Sequence, residues 1–303
     1  METSLSLSIC DESHSILNKE RQTTMERTTK PGQLVLQSMH WWFLTDMVLV
    51  SIAGIQLFLL SGLTDRFFAW TIQSALTAAF LGAAYFCTLP MLFASYRARE
   101  WVQARIAVPG VWLFTGLTTI ATFQHWDKFH WNSPLLTARL AFWVWLVVYL
   151  GVPIGLGIAW YIQQRVPGVE PERQAPMQRW FRILLGAQTA VILLLGIALF
   201  LFPGVMVPLW MWALTPLTSA AIGAWLIGIG ITLAWAIWEN DWQRLSGTML
   251  TYALLGVLQL IAVARFGGQM NWNSPNAWLY VAFLVSVVVM GGLGSLFARR
   301  ATP

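Results

Sequence analysis

Long apolar runs of about twenty residues recur along the chain, with short polar stretches between them. A helix of this length crosses the hydrocarbon core of a bilayer, where the backbone must satisfy its own hydrogen bonds. The runs are continuous and lack the polar–apolar alternation of barrel strands. We therefore predict an all-α integral membrane protein. Its eight transmembrane helices are predicted at residues 41–62, 67–94, 104–124, 137–162, 180–202, 215–238, 243–264 and 277–298.

The second half of the chain repeats the first. Trp-Asn-Ser-Pro at residues 131–134 returns at 272–275, and Gly-Ile-Gln-Leu-Phe-Leu from Gly54 returns as Gly-Ile-Ala-Leu-Phe-Leu from Gly196. Agreement at a nearly constant spacing indicates a duplicated structural unit. Each unit holds four predicted spans, so both units enter the membrane in the same direction. We therefore predict two tandem parallel four-helix repeats, related by a pseudo-two-fold axis along the membrane normal.

The repeat divides the chain into four predicted parts. These are a polar tail at 1–38, a first repeat at 39–164, a linker at 165–178 and a second repeat at 179–303. The tail is charged and lacks the apolar segment of a cleaved signal, so we expect it to be cytoplasmic and disordered. Met25 is an alternative start to Met1. The linker is rich in proline and charged residues, as connections between units often are.

Composition excludes a soluble globular protein. Hydrophobic residues make up 57% of the chain and charged residues only 10%, whereas soluble domains carry about 25% charged residues. The net charge of +5 does not indicate nucleic acid, because the basic residues lie at predicted helix ends. Fourteen of the 18 Lys and Arg residues fall on one side of the predicted topology. Both termini are therefore predicted to be cytoplasmic, most simply in a bacterial cytoplasmic membrane.

Asp46 is the first candidate functional residue, because it is the only acidic residue inside a predicted apolar span. A carboxylate within the membrane is costly and marks a functional site by default. The alternative is that Asp46 lies shallow enough to reach interfacial water or an arginine. Gln188 occupies the corresponding position of the second repeat. Both residues are candidates for lining a substrate path, although we favour the alternative for Asp46.

Thr118 and Gln259 also occupy corresponding positions, within the third and seventh predicted spans. Two polar groups at the same depth are further candidates for lining a central path. Hydrogen bonds between helices are the alternative explanation, and we favour it for this pair.

The predicted outward loop before the first Trp-Asn-Ser-Pro motif carries His125, Asp127 and His130. These side chains are possible ligands for a substrate or, more weakly, for a metal ion, because their spacing does not place all three on one helical face. An interfacial or solvated loop is the alternative, and we favour it. Asn132 and Asn273 belong to the shared motif. With the neighbouring serines, they are predicted to cap the helices that follow.

The nineteen tryptophans lie mostly near predicted helix ends, as in the aromatic belts of membrane proteins. Trp143, Trp145 and Trp225 lie further from the ends. For these three residues, packing against a pigment or a quinone is the alternative to a structural role. No cofactor is identified by the sequence.

Three functions are compatible with this pattern. A small-molecule transporter or channel-like protein, working between the duplicated halves, is the first. A non-catalytic membrane subunit that organises protein partners, or an oligomer, is the second. An enzyme or cofactor-binding protein that uses the outer loop is the third. No nucleotide-binding or hydrolase motif occurs, so an enzyme is the least favoured and no catalytic residue is assigned. Membrane lipid is the one partner that the composition itself implies.

Overall fold

The computed structural model describes residues 32–301, and the regular structure in this range is helical. Short helices at Thr64–Phe67, Trp101–Ala104 and Pro203–Leu209 lie in the connections. The long helices are α1 Gln37–Leu59, α2 Ala75–Arg97, α3 Ala107–Gln124, α4 Leu136–Gln163, α5 Arg179–Leu201, α6 Pro216–Glu239, α7 Ser246–Phe266 and α8 Pro275–Ala301. The protein is therefore an all-α membrane protein, as the apolar runs predict.

Seven of the long helices are long and apolar enough to cross a membrane. The helix outside this set is α3, which coincides with the third predicted span. It has 18 residues, about 27 Å at 1.5 Å per residue, and its threonines and Gln124 make it less apolar than its neighbours. All four threonines of α3 donate a hydrogen bond to a carbonyl of the preceding turn, as hydroxyls in apolar helices often do.

The connection between α1 and α2 differs from the prediction. The second span was expected from residue 67, but α2 begins only at Ala75. The intervening segment forms an extended loop, in which the Thr64 hydroxyl accepts a hydrogen bond from the Ile72 backbone (2.9 Å). The Ser74 hydroxyl then accepts from the Thr77 backbone (3.2 Å) and caps α2. These local polar bonds, which hydropathy does not detect, delay the start of the helix.

The first long helix also begins earlier in the chain than predicted. Residues 1–31 of the predicted tail lie outside the described residues. Residues 32–36 are extended, and the Gln163 side chain at the end of α4 bonds Leu34 O (2.8 Å) and Leu36 N (2.8 Å). Helix α1 then begins at Gln37. Its last turn, Ile55–Leu59, is a π-helix, and Arg265 donates a hydrogen bond to Phe58 O in that turn (2.6 Å).

The helices pack in two rows, α4–α3–α6–α5 and α1–α2–α7–α8. Helices α2 and α6 are central: 78% and 67% of their spanning residues are buried, against 28% in α1, α4 and α5. Glycines allow the close approach that membrane helices need, because lipid offers no hydrophobic drive for association. A Cβ added to Gly82 of α2 would lie 2.3 Å from the backbone nitrogen of Phe58 in α1.

At one end of the bundle, an ion cluster joins the linker to residues of both halves of the chain. We define it as Arg105 before α3, Glu170 in the linker, Glu239 at the end of α6, and Asp241 and Arg244 after it. Glu239 is buried and pairs with Arg105 (2.5 Å) and Arg244 (2.9 Å). Hydrogen bonds from Arg105, together with Arg244, lower the pKa of Glu170. The linker is therefore held in place by buried charges.

Candidate ligand-binding groove

A groove with a volume of about 490 Å³ lies between α1 and α4, and we call it the α1–α4 groove. Its floor is formed by residues of α2 and α3, with Trp225 of α6. Its rim includes Ile52 and Val144, which are 49% and 58% exposed. Apolar side chains exposed on a membrane helix face lipid, so the groove opens sideways into the bilayer.

Asp46 faces this groove and has no partner. Its side chain is only 7% exposed, and no described residue donates a hydrogen bond to it or forms an ion pair with it. It lies nine residues after Gln37, the start of α1, about 14 Å along the helix axis. No arginine of the described range supplies the partner that the shallow alternative required.

Gln56 is a second polar residue of α1 in the same groove. Its amide is half-buried and makes no hydrogen bond to a described residue. The two side chains are ten residues apart in sequence, about 15 Å along the helix. The groove therefore offers unpaired polar groups at two depths.

Aromatic side chains from α4 and from the floor of the groove form one surface, which we call the aromatic wall. Trp145 and Tyr149 of α4 lie with ring centroids 4.0 Å apart, and Phe114 of α3 and Trp225 of α6 do the same. Tyr85 of α2 joins the two pairs, because its ring contacts Trp225 at 4.8 Å and its hydroxyl hydrogen-bonds to that of Tyr149. All five residues line the groove.

The threonines of the groove satisfy their own hydroxyls. Thr88 donates to Tyr85 O (2.7 Å), Thr115 to Val111 O (2.9 Å) and Thr137 to Arg66 O (2.7 Å). Apart from the one O–H that the Tyr85–Tyr149 bond leaves unused, Asp46 and Gln56 therefore carry the polar groups that a bound molecule would find free.

Gln188, the counterpart of Asp46, is fully engaged. Its amide nitrogen donates to the Ser286 hydroxyl (2.9 Å), and its amide oxygen accepts from the Tyr252 hydroxyl (3.1 Å). These bonds tie α5 to α7 and α8. Gln188 therefore lacks the unpaired polar group that Asp46 presents.

Thr118 and Gln259 do not meet in one cavity. The Thr118 hydroxyl donates to Phe114 O (2.8 Å), within its own helix. Gln259 donates to Phe80 O (3.0 Å) and accepts from the Tyr280 hydroxyl (3.3 Å). For Gln259, these are the hydrogen bonds between helices that the sequence favoured.

Gln259 also lines a second groove, of about 530 Å³, whose walls come chiefly from α5 and α8; we call it the α5–α8 groove. Its other lining residues are almost all apolar, and the set includes no acidic or basic side chain. A cavity between the two halves, lined by Thr88, Gly110 and Thr232, has a volume of only about 40 Å³, space for one or two waters. Another cavity between the halves, lined by residues at the starts of α2 and α6, has a volume of about 220 Å³. The two larger spaces are the grooves at the sides of the bundle.

The three candidate side chains of the outer loop each bind different partners. His130 bonds Phe68 O (2.9 Å) and the Thr71 hydroxyl (3.0 Å) through its two ring nitrogens, and His125 bonds Ala121 O (3.1 Å). Asp127 is exposed, and its hydrogen bond with Lys128 lowers its pKa. Among residues 32–301, no three side chains of the metal-binding types gather at one point. The weak metal hypothesis gains no support from this arrangement.

The shared Trp-Asn-Ser-Pro motifs act through their serines. The Ser274 hydroxyl accepts from Asn276 N (3.3 Å) at the start of α8, whereas the Ser133 hydroxyl accepts from Leu135 N (3.2 Å) in the turn before α4. The side chains of Asn132 and Asn273 cap neither helix. Only the serine of the second motif therefore acts as the expected cap.

Sequence reasoning identified Asp46 but missed Gln56, Tyr85 and Tyr149. The repeat itself carried a signal for Gln56, because the matching hexapeptide has alanine in its place. The two tyrosines carried no such signal, since only the packing of α2 against α4 brings them together. Comparison with protein families, curated proteins and solved structures found no match for this chain.

Proposed function

We propose that this membrane protein is a small-molecule transporter or channel-like protein that admits its ligand through the α1–α4 groove. One observation carries the proposal: an unpaired carboxyl group lies deep in an apolar helix and faces a groove open to the bilayer. An ionisable residue inside a membrane is expensive and normally has a partner. In this protein the missing partner is supplied by the ligand.

We further propose that α3 completes eight spans, in two parallel repeats with the linker at 165–178. Backbone hydrogen bonds recur at corresponding positions of the two halves and support this arrangement. In one pair, His130 N donates to Ala69 O (2.9 Å) and Asn271 N donates to Met211 O (2.8 Å). In the other pair, Trp101 N donates to Gln33 O (2.7 Å) and Trp242 N donates to Ala175 O (2.8 Å).

The packing between halves also supports a two-fold relation. Helix α3 of the first half packs on α6 of the second, and α7 of the second packs on α2 of the first. A two-fold axis would exchange these two contacts. Under the proposed topology, the ion cluster and both termini lie on the cytoplasmic side, where positive charge accumulates.

The two halves differ in chemistry, which supports a ligand site in the first half. Asp46 corresponds to Gln188, whose amide is already hydrogen-bonded. Gln56 corresponds to Ala198. The aromatic wall is not repeated in the second half. The positions that correspond to Tyr85, Phe114, Trp145 and Tyr149 hold the non-aromatic residues Leu226, Leu255, Ser286 and Met290. The function proposed here therefore differs from the sequence hypothesis of a path between the repeats.

A matched pair of variants tests this proposal. Ala53→Trp fills the α1–α4 groove, and Leu195→Trp at the corresponding position fills the α5–α8 groove. Uptake of radiolabelled lipophilic amines, alcohols and carboxylic acids would be measured in proteoliposomes. We expect at least one class to enter faster than in protein-free liposomes, and Ala53→Trp but not Leu195→Trp to abolish the difference. Equal uptake by both variants, or no uptake above the protein-free rate, would contradict the proposal.

A further inference from the structure

We infer that the ligand of the α1–α4 groove is a lipophilic organic cation, such as a protonated tertiary amine. This inference rests on the proposed function and specifies its substrate class. Two features of the groove carry it: the unpaired carboxyl group of Asp46 and the aromatic wall that lines the same space.

Asp46 selects for a ligand that can supply a positive charge or a strong hydrogen-bond donor. A carboxylate taken out of water is stable only when it is paired and hydrogen-bonded. Asp46 is 7% exposed and has no such partner among the described residues. An ammonium group provides both the opposite charge and an N–H donor.

The aromatic wall selects for the same charge by a second mechanism. The faces of Trp, Tyr and Phe rings carry partial negative charge and attract cations, most strongly when water is excluded. Tyr85, Phe114, Trp145, Tyr149 and Trp225 line the groove together with Asp46. Rings that line the same groove as a carboxylate suit an alkylated ammonium group, whose N–H would pair with the acid while its methyl groups contact the rings.

Other ligand classes fit the groove poorly. Its lining includes no Lys, Arg or His, so an anionic group would find no positive partner. A bare metal ion needs several oxygen ligands at one point, and the two free polar side chains stand about 15 Å apart along α1. A purely hydrocarbon ligand would leave the Asp46 carboxyl unsatisfied.

The rim favours entry from the bilayer. Ile52, Leu140 and Val144 are exposed at the edge of the groove and would face lipid chains. A cation that reaches Asp46 by this route must carry an apolar body that partitions into the membrane. Gln56 lies further along the groove, where it can bond a polar group at the other end of such a molecule.

Equilibrium binding in lipid nanodiscs tests the inference. The probes are radiolabelled dimethyl(phenylbutyl)amine and its neutral isostere, in which a C–H group replaces the nitrogen. Binding in excess of empty nanodiscs would be measured for the wild type, Asp46→Asn, Asp46→Glu and Ala53→Trp. Losing one partner of a buried charge pair weakens binding strongly, so we expect Asp46→Asn to weaken amine binding by at least about 30-fold. Asp46→Glu, which keeps the charge, should retain most of the affinity.

The outcomes separate this inference from the proposed function. Preference for the amine, lost in Asp46→Asn and kept in Asp46→Glu, supports both. Equal binding of both probes, blocked by Ala53→Trp but unchanged in Asp46→Asn, overturns the cation and leaves the groove as a ligand site. If neither probe binds more than to empty nanodiscs, the cation is again overturned, and the uptake panel decides the proposed function. Thermal melting of each variant verifies that it is folded.

Discussion

The ion cluster provides the most quantitative test of how the halves are held together. Glu239 accepts hydrogen bonds from Arg105 Nε (2.5 Å) and Nη2 (3.0 Å), from Arg244 Nη1 (2.9 Å) and from Trp235 Nε1 (3.1 Å). Its side chain is 1% exposed. The substitution Glu239→Gln keeps the shape of the side chain but removes the negative charge between the buried guanidinium group of Arg244 and the half-buried one of Arg105.

Breaking a buried ion pair by removing one partner costs about 3–5 kcal/mol, because the other charge remains buried. Arg105 would retain Glu170, and Arg244 would retain Asp241 and Glu170. We therefore expect the lower end of the range, a loss of about 3 kcal/mol in the free energy of unfolding.

Reversible unfolding of the purified protein in mixed detergent micelles would measure this loss. Glu172→Gln is the matched control, because Glu172 belongs to the same linker but is exposed and has no ion pair. It should change the unfolding free energy by less than about 0.5 kcal/mol. Equal stability of Glu239→Gln and Glu172→Gln would refute the account of the cluster as a joint between the halves.

Three further predictions concern stability. The partners of Glu170 lower its pKa below the ordinary value of 4.5. Its contribution to the free energy of unfolding is therefore present above that pH and is lost as the pH falls through the folded-state pKa. Glu170→Gln should make the free energy of unfolding depend less on pH on the acid side. Gly82→Ala forces a Cβ against the α1 backbone and should cost about 1–3 kcal/mol, whereas Gly151→Ala, with open space around it, should cost much less in the same melt. Trp212 donates to a threonine of α2 (2.8 Å) while the buried Trp70 indole N–H has no partner, so Trp212→Phe should lose about 1 kcal/mol more than Trp70→Phe; equal losses would contradict the assigned hydrogen bond.

The sequence was sufficient for the parts of the fold that depend on long apolar runs. The ends of α4 and α5 agree with prediction within one residue at both termini, because continuous hydrophobicity alone sets them. The start of α2 was predicted too early, since the apolar segment around Trp70 folds into a loop that pairs with Phe129. Hydropathy cannot distinguish a buried apolar loop from a helix.

The candidate site was only partly visible in the sequence. Asp46 was predictable because a lone acid in an apolar run is costly wherever it packs. The aromatic wall was not, because its five rings come from four different helices. The ion cluster was missed for the same reason: its charged residues lie in loops or at a helix end, and only the fold brings Arg105, Glu170 and Glu239 together.

Photoaffinity labelling tests the central claim most directly, namely that the Asp46 groove receives a ligand from the bilayer. A diazirine derivative of dimethyl(phenylbutyl)amine would be irradiated with the protein in nanodiscs, and the labelled peptides would be mapped. The account predicts labels on α1 and α4 beside Asp46 and Tyr149, displaced by the unlabelled amine. Labels concentrated in the α5–α8 groove, or spread evenly over the lipid-facing helices and not displaced, would contradict it.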